Sequence, residues 1–261
     1  MPSIVKSLAP LPQTERGHGI HVYGTTAGGV PRIVYTNGTH VMVRQLDDPS
    51  QCFVFSEHKV KANVARFSPS GEWIASGDDM GKVLIWGAKN GHVKNEVQAC
   101  RKVLDIDWSG DGKRVVAAGD GNEQIAKVFP WDSSSNLGQV TGHSKAILGV
   151  AFRRERPYRI VTASEDRAMN FFQGPPFKFA GSFKGHARWP NDVAYTPDGE
   201  FYVSIGADAQ INVFNGKTGE HVRQLVDEAN GHKSQIYAFA FSPDGTELLT
   251  ASADKTAKIY D

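Results

Sequence analysis

The chain has 261 residues, of which 40% are hydrophobic and 22% charged, so it can bury a core and lacks the polar bias of a disordered protein. Its net charge of +1 excludes a global attraction to nucleic acids or anionic membranes, so we expect partners to be recognised locally. Two distant cysteines, Cys52 and Cys100, suit packing roles in a reducing compartment. Without a signal-peptide pattern or a membrane-spanning apolar stretch, the sequence predicts a cytoplasmic protein.

Residues 1–17 are interpreted as an N-terminal segment. Within it, SIVKSLA at residues 3–9 is a candidate for a strand that closes the fold. The following stretch, 18–50, resembles a degenerate repeat unit, since RIVYTNGTHVMVRQLD predicts two strands joined by a turn at Asn37-Gly38.

The rest of the chain repeats with a period of about 43 residues. Each unit contains a strand, a turn, a second strand rich in small and β-branched residues, an acidic turn, and a third strand that ends on an aromatic residue. The aromatic ends of these third strands are Trp86, Phe129, Phe171, Phe214 and Tyr260. No segment has the periodicity of a long amphipathic helix.

Several strands per unit at this period predict an all-β fold, a β-propeller whose blades stack around an axis. We count about six units, and the last ends at Asp261 just after its third strand, which suggests an incomplete seven-bladed ring. Residues 18–261 are thus predicted to form the propeller. The predicted blades are 18–56, 57–98, 99–141, 142–184, 185–230 and 231–261.

Nine histidines raise the question of a catalytic or metal site, yet four of them recur at one place in successive units. The pattern resembles WD-repeat proteins, in which such a histidine, a Ser or Thr, a turn aspartate and a strand-end aromatic form a hydrogen-bonded cluster within each blade. The matching positions, to which we assign a structural role, are His58, His143, His186, His232, Asp79, Asp166, Asp208, Asp254 and Trp86.

Catalytic signatures are missing from the sequence: it has no HExxH, GxSxG, GxxxxGK[ST] or paired-cysteine motif. The glycine-rich pieces at 25–29 and 119–122 lack the strand-to-helix context of a phosphate cradle. We therefore predict a protein that is not an enzyme and needs no metal or cofactor.

Three features of the sequence are not explained by the repeat architecture alone. QGPPFKFAGSF at 173–183 places Phe177, Lys178 and Phe179 where an outer strand is expected, and Trp189 follows a Gly-His pair in a loop. Glu123 and Glu165 occupy the acidic turns of neighbouring units. Aromatic residues beside charges favour a protein-binding patch, although packing of both phenylalanines between blades is the alternative.

The chain resembles the actin-interacting protein 1 family in LPQTERG at 11–17, YTNG at 35–38, SPSGEWIASGD at 68–78, RPYRIVTASED at 156–166 and GPPFKF at 174–179. The resemblance implies binding to actin filaments decorated by ADF/cofilin, with filament severing, disassembly and end capping. It also implies a two-propeller protein, so we expect this chain to be a fragment, a short isoform or an incomplete gene model.

By motif, the resemblance places the actin-facing surface at Glu123, Glu165, Lys178, Phe179 and Trp189. It implies actin filaments and ADF/cofilin as partners at the actin cytoskeleton, with no nucleic acid, membrane or small-molecule substrate. A generic WD-repeat scaffold in another multiprotein complex is the alternative.

Overall fold

The computed structural model describes residues 10–14, 19–48, 50–122, 124–138, 140–225 and 229–261. Its regular elements are all strands, and no helix long and apolar enough to cross a membrane occurs in those ranges. The candidate closing strand at 3–9 lies outside the described residues.

The described ranges contain twenty-two strands, which form six antiparallel sheets in chain order. Sheets 1 to 3 consist of β1 (Tyr23–Thr25), β2 (Arg32–Asn37), β3 (His40–Gln45), β4 (Cys52–Phe55); β5 (Ala62–Phe67), β6 (Trp73–Asp78), β7 (Lys82–Gly87), β8 (Val93–Gln98); and β9 (Lys102–Trp108), β10 (Arg114–Asp120), β11 (Ala126–Pro130). Sheets 4 to 6 consist of β12 (Ile147–Phe152), β13 (Arg159–Ser164), β14 (Met169–Gln173), β15 (Lys178–Phe183); β16 (Pro190–Tyr195), β17 (Phe201–Gly206), β18 (Ile211–Asn215), β19 (His221–Gln224); and β20 (Ile236–Phe241), β21 (Leu248–Ser252), β22 (Ala257–Tyr260).

Apolar side chains join each sheet to the next, because successive residues of a strand point to opposite faces. In β10, for example, Val115 and Ala117 pack against sheet 2, whereas Val116 and Ala118 pack against sheet 4. Five such layers, one between each pair of consecutive sheets, make up the core. The architecture is a six-bladed β-propeller, as the repeat predicts. The seventh blade stays a prediction.

Sheet 3 departs from the four-stranded pattern of sheets 1, 2, 4 and 5. No fourth strand pairs with β11 among the described residues; an irregular stretch follows instead, bridged to the sheet at Val128 and Gly138 and packed against it through Leu137 and Val140. Gly138 also bridges to Phe177, just before β15 of the next sheet. At the start of β15, Lys178, Phe179 and Ala180 are exposed.

A cavity of about 500 Å³ lies at the centre, lined by residues of all six sheets. Beside it, Arg66 of sheet 2 donates to Asp107 of sheet 3 over 2.6 Å and lies 3.8 Å from the centre of the Tyr23 ring in sheet 1. Asp105 and Asp107 in turn accept the backbone N–H groups of Val150 and Phe152 in sheet 4, each at 2.8 Å. This polar network joins four sheets around the axis.

Candidate protein-binding surface

The histidine of sheet 2 belongs to a buried hydrogen-bond chain. The Trp86 indole donates to the Ser76 hydroxyl over 3.0 Å, and this hydroxyl lies 2.7 Å from Nε2 of His58. Nδ1 of the same ring lies 2.9 Å from Asp78, which fits the tautomer that donates to the carboxylate. Since both ring nitrogens of His58 are occupied and its side chain is buried, the geometry offers no free base or metal ligand.

Sheets 4, 5 and 6 repeat the arrangement. In each, Nε2 of the histidine meets a strand hydroxyl at 2.7 to 2.8 Å, and Nδ1 meets the turn aspartate at 2.8 to 3.0 Å. The three sets are His143, Thr162 and Asp166; His186, Ser204 and Asp208; and His232, Thr250 and Asp254. In the part of the chain that the structure describes, no group of three or more His, Cys, Asp or Glu side chains is placed to hold a metal ion.

The sequence-based assignment of Asp79 to the sheet 2 cluster is wrong, because the carboxylate that contacts His58 belongs to Asp78. Asp79 instead accepts from Asn63 and pairs with Lys102 at 3.0 Å. Burial raises the pKa of Asp78, but hydrogen bonds from His58 and from nearby backbone N–H groups outweigh burial and lower it below its usual value.

Glu165 and Trp189 lie at one end of the propeller. Glu165 directly follows β13, where its N–H donates to the carbonyl of Ala146, and its exposed side chain reaches the mouth of the central cavity. Trp189 directly precedes β16, is partly exposed, and stacks with Arg188, whose guanidinium lies 4.9 Å from the ring. Glu123, the fifth predicted site residue, lies outside the described residues.

Lys178 and Phe179 begin β15 at the opposite end of sheet 4, because β13 and β15 both run toward the end that carries Glu165. Phe179 is 51% exposed and touches Phe172 edge-on, with ring centres 6.0 Å apart. It flanks a groove whose other residues include Leu137 and Gly138 of the irregular stretch after β11. The four described site residues thus do not form one continuous cluster.

Phe177 behaves differently from Phe179. It is 1% exposed and packs edge-on against Phe152, with ring centres 5.2 Å apart, in the layer between sheets 3 and 4. The alternative interpretation of core packing therefore fits Phe177, whereas Phe179 remains available to a partner.

Sequence reasoning missed the groove and the reason for it. The signal was present, since WDSSSNLG at 131–138 lacks the alternation of polar and apolar residues that marks an outer strand. Phe179 lies beside this stretch, in the groove that Leu137 and Gly138 also line.

Comparison with known proteins agrees with this geometry. The model "WD domain, G-beta repeat" matches residues 49–87, 177–215 and 223–261. WD repeat-containing protein 1 of Bos taurus is 44% identical over 99% of the chain, and Actin-interacting protein 1 of Drosophila melanogaster is 42% identical over 97%. Actin-interacting protein 1-2 of Arabidopsis thaliana is 45% identical over 89%.

The chain is a WD-repeat protein similar to actin-interacting protein 1. It spans 43% of the bovine relative, 41% of the fly relative and 38% of the plant relative. The WD-repeat match includes Lys178 and Phe179 of β15 and also Trp189, whereas Glu123 and Glu165 lie outside the matched residues.

Proposed function

We propose that this chain binds actin filaments at the actin cytoskeleton as a non-enzymatic WD-repeat protein. The observation that carries the proposal is the half-exposed Phe179 beside the exposed Lys178, above the groove between sheets 3 and 4. An exposed aromatic ring on a rigid strand is the kind of residue that dominates binding energy at protein interfaces. The partner is inferred from the names of relatives, among them Actin-interacting protein 1.

The finer proposal is that binding depends on ADF/cofilin and promotes filament severing, disassembly and end capping. Glu165 and Trp189 at one end of the ring and Lys178 with Phe179 toward the other give two separated contact regions. Two regions suit a partner surface made of more than one protein, as a cofilin-decorated filament is, because two weak contacts reinforce each other.

Co-sedimentation of the chain with actin filaments, with and without cofilin, tests the proposal. We expect cofilin-dependent pelleting that falls by about tenfold in affinity for Phe179→Ala combined with Trp189→Ala. Phe201→Ala is the matched control, since Phe201 is a 39% exposed aromatic residue on β17 outside the predicted patch. Pelleting that is absent, or equally reduced in the control, contradicts actin binding through this surface.

Microscopy of single cofilin-decorated filaments separates binding from severing. If the chain pellets with filaments but leaves the rate of breakage unchanged, the binding proposal stands and the severing proposal is wrong. A chain that increases breakage only with an intact Phe179 supports both.

A further inference from the structure

A group of basic residues occupies the turns at the end of the propeller opposite Glu165. The turn after β9 and the turn after β12 touch there: a Cβ on Gly110 would lie 1.9 Å from the carbonyl oxygen of Arg154. We call the basic residues on these two turns and at the strand starts that follow them the basic rim. It comprises Lys113, Arg114, Arg154, Arg156 and Arg159.

Tyr158 and Arg153 hold the rim in shape. Two guanidinium groups approach the buried ring of Tyr158: that of Arg114 at 5.1 Å and that of Arg156 at 5.8 Å from the ring centre. Arg153, only 1% exposed, donates to the carbonyl groups of Glu155 and Pro157 within the turn and to Gly199 of the next sheet. The turn is therefore pre-organised, which lowers the entropic cost of binding.

The basic residues of the rim outnumber the acidic residues that pair with them in the described ranges. Arg114 pairs with Asp111 at 2.8 Å, but the exposed Arg154 and Arg156 form no ion pair with any residue in the described ranges. Burial lowers the pKa of Arg159, and the nearby charge of Arg153 lowers it further, although Tyr195 acts the other way. An incoming negative charge would relieve this repulsion.

We propose that the basic rim binds an acidic polypeptide segment through two or three of its Asp or Glu carboxylates. Guanidinium groups pair with carboxylates through two parallel hydrogen bonds, and a guanidinium that lies over an aromatic ring, as that of Arg156 does, can still donate from its edge. Two acidic residues, Asp111 and Glu155, lie among the basic residues of the rim, and the whole chain has a net charge of only +1. These acidic side chains would repel a continuous polyanion, whereas a peptide with a few separated carboxylates can avoid them.

Fluorescence anisotropy with a labelled peptide that carries three glutamates separated by serines, in about 50 mM NaCl so that charge pairs are weakly screened, tests the proposal. We expect saturable binding that weakens by about fivefold or more for Arg154→Gln combined with Arg156→Gln. The matched control combines Lys94→Gln with Arg223→Gln, exposed cations on the outer strands β8 and β19, and should change affinity less than about twofold.

An equal loss in the control pair, or no saturation, would overturn the proposal. So would tighter binding of an oligouridylate or of phosphatidylserine vesicles that the rim substitutions abolish, because the site would then serve nucleic acid or lipid. The rim lacks all five residues of the predicted actin patch, so failure of actin co-sedimentation leaves this experiment unaffected.

Discussion

The aspartate that completes a histidine cluster is fixed by the backbone of its turn. In sheets 4, 5 and 6 it directly precedes a residue with positive φ, namely Arg167, Ala209 or Lys255. In sheet 2 the residue before the corresponding Gly81 is Met80, so Asp78 reaches His58 from the end of β6 instead. The sequence predicts that a cluster exists, but it does not show which of the adjacent Asp78 and Asp79 contacts His58, because that depends on the conformation of the turn.

Replacing Asp78 should destabilise the protein far more than replacing Asp79. Asp78 is 2% exposed and accepts from His58 and from the N–H groups of Met80 and Lys82, so Asp78→Ala leaves three donors unsatisfied and should cost about 3 kcal/mol of unfolding free energy. Asp79→Ala removes a partly exposed ion pair and should cost less than about 1 kcal/mol. Urea denaturation measures both, and equal losses would contradict the assignment.

At the scale of the element, the repeat predicts where strands occur but not whether each sheet is complete. The third-strand aromatics at Phe129 and Phe171 mark sheets 3 and 4 equally well. The pairing of strands shows that no fourth strand lies beside β11 among the described residues. Phe179 on the next sheet is 51% exposed, whereas Phe177, two residues earlier, is 1% exposed. The composition of 131–138 indicates an irregular stretch, but the burial of one phenylalanine and the exposure of the other follow from the packing between sheets 3 and 4, which the repeat alone does not predict.

Truncation of Phe177 should therefore lower the unfolding free energy much more than truncation of Phe179. Phe177→Ala removes a ring from the layer between sheets 3 and 4 and should cost about 3 to 5 kcal/mol of unfolding free energy. Phe179→Ala removes a half-exposed ring and should cost about 1 kcal/mol or less, while weakening actin binding if the proposed function holds. A large loss of stability for Phe179→Ala would assign that ring to packing rather than to recognition.

For the whole molecule, the periodicity accounts for the six sheets and their order around the axis, but not for the polar network at the centre. The network joins residues far apart in sequence, from Tyr23 to Phe152, and Asp192 interacts with its charges; no sequence motif predicts it. Arg66 faces Asp105 and Asp107, and Asp192 from sheet 5 adds a third carboxyl nearby. Three carboxyl groups around one guanidinium leave an excess of negative charge when all are ionised.

This excess makes the stability of the fold depend on pH through Asp192. Burial, reinforced by the charge of Asp105, raises the pKa of Asp192 to about 8 from an ordinary value of 3.8. Between these values the folded chain keeps a proton that the unfolded chain has lost, so the contribution of Asp192 to stability is greatest below pH 3.8 and declines as pH rises to about 8. Charges that face it include Arg66 and Asp107, which act in opposite directions.

Asp192→Asn should abolish this dependence, because an amide keeps the acceptor for the N–H of Val193 and carries no charge. Relative to the wild type, we expect the variant to gain on the order of 2 kcal/mol of unfolding free energy between about pH 5 and pH 8, as measured by urea denaturation. Asp198→Asn is the control of opposite sign: hydrogen bonds from Thr196 and Glu200 lower the pKa of the exposed Asp198, so its contribution is present at neutral pH and is lost in acid. A wild-type-to-variant difference for Asp192 that stays constant across this range would mean that the carboxyl is already ionised in the folded protein and that Arg66 alone compensates all three acids.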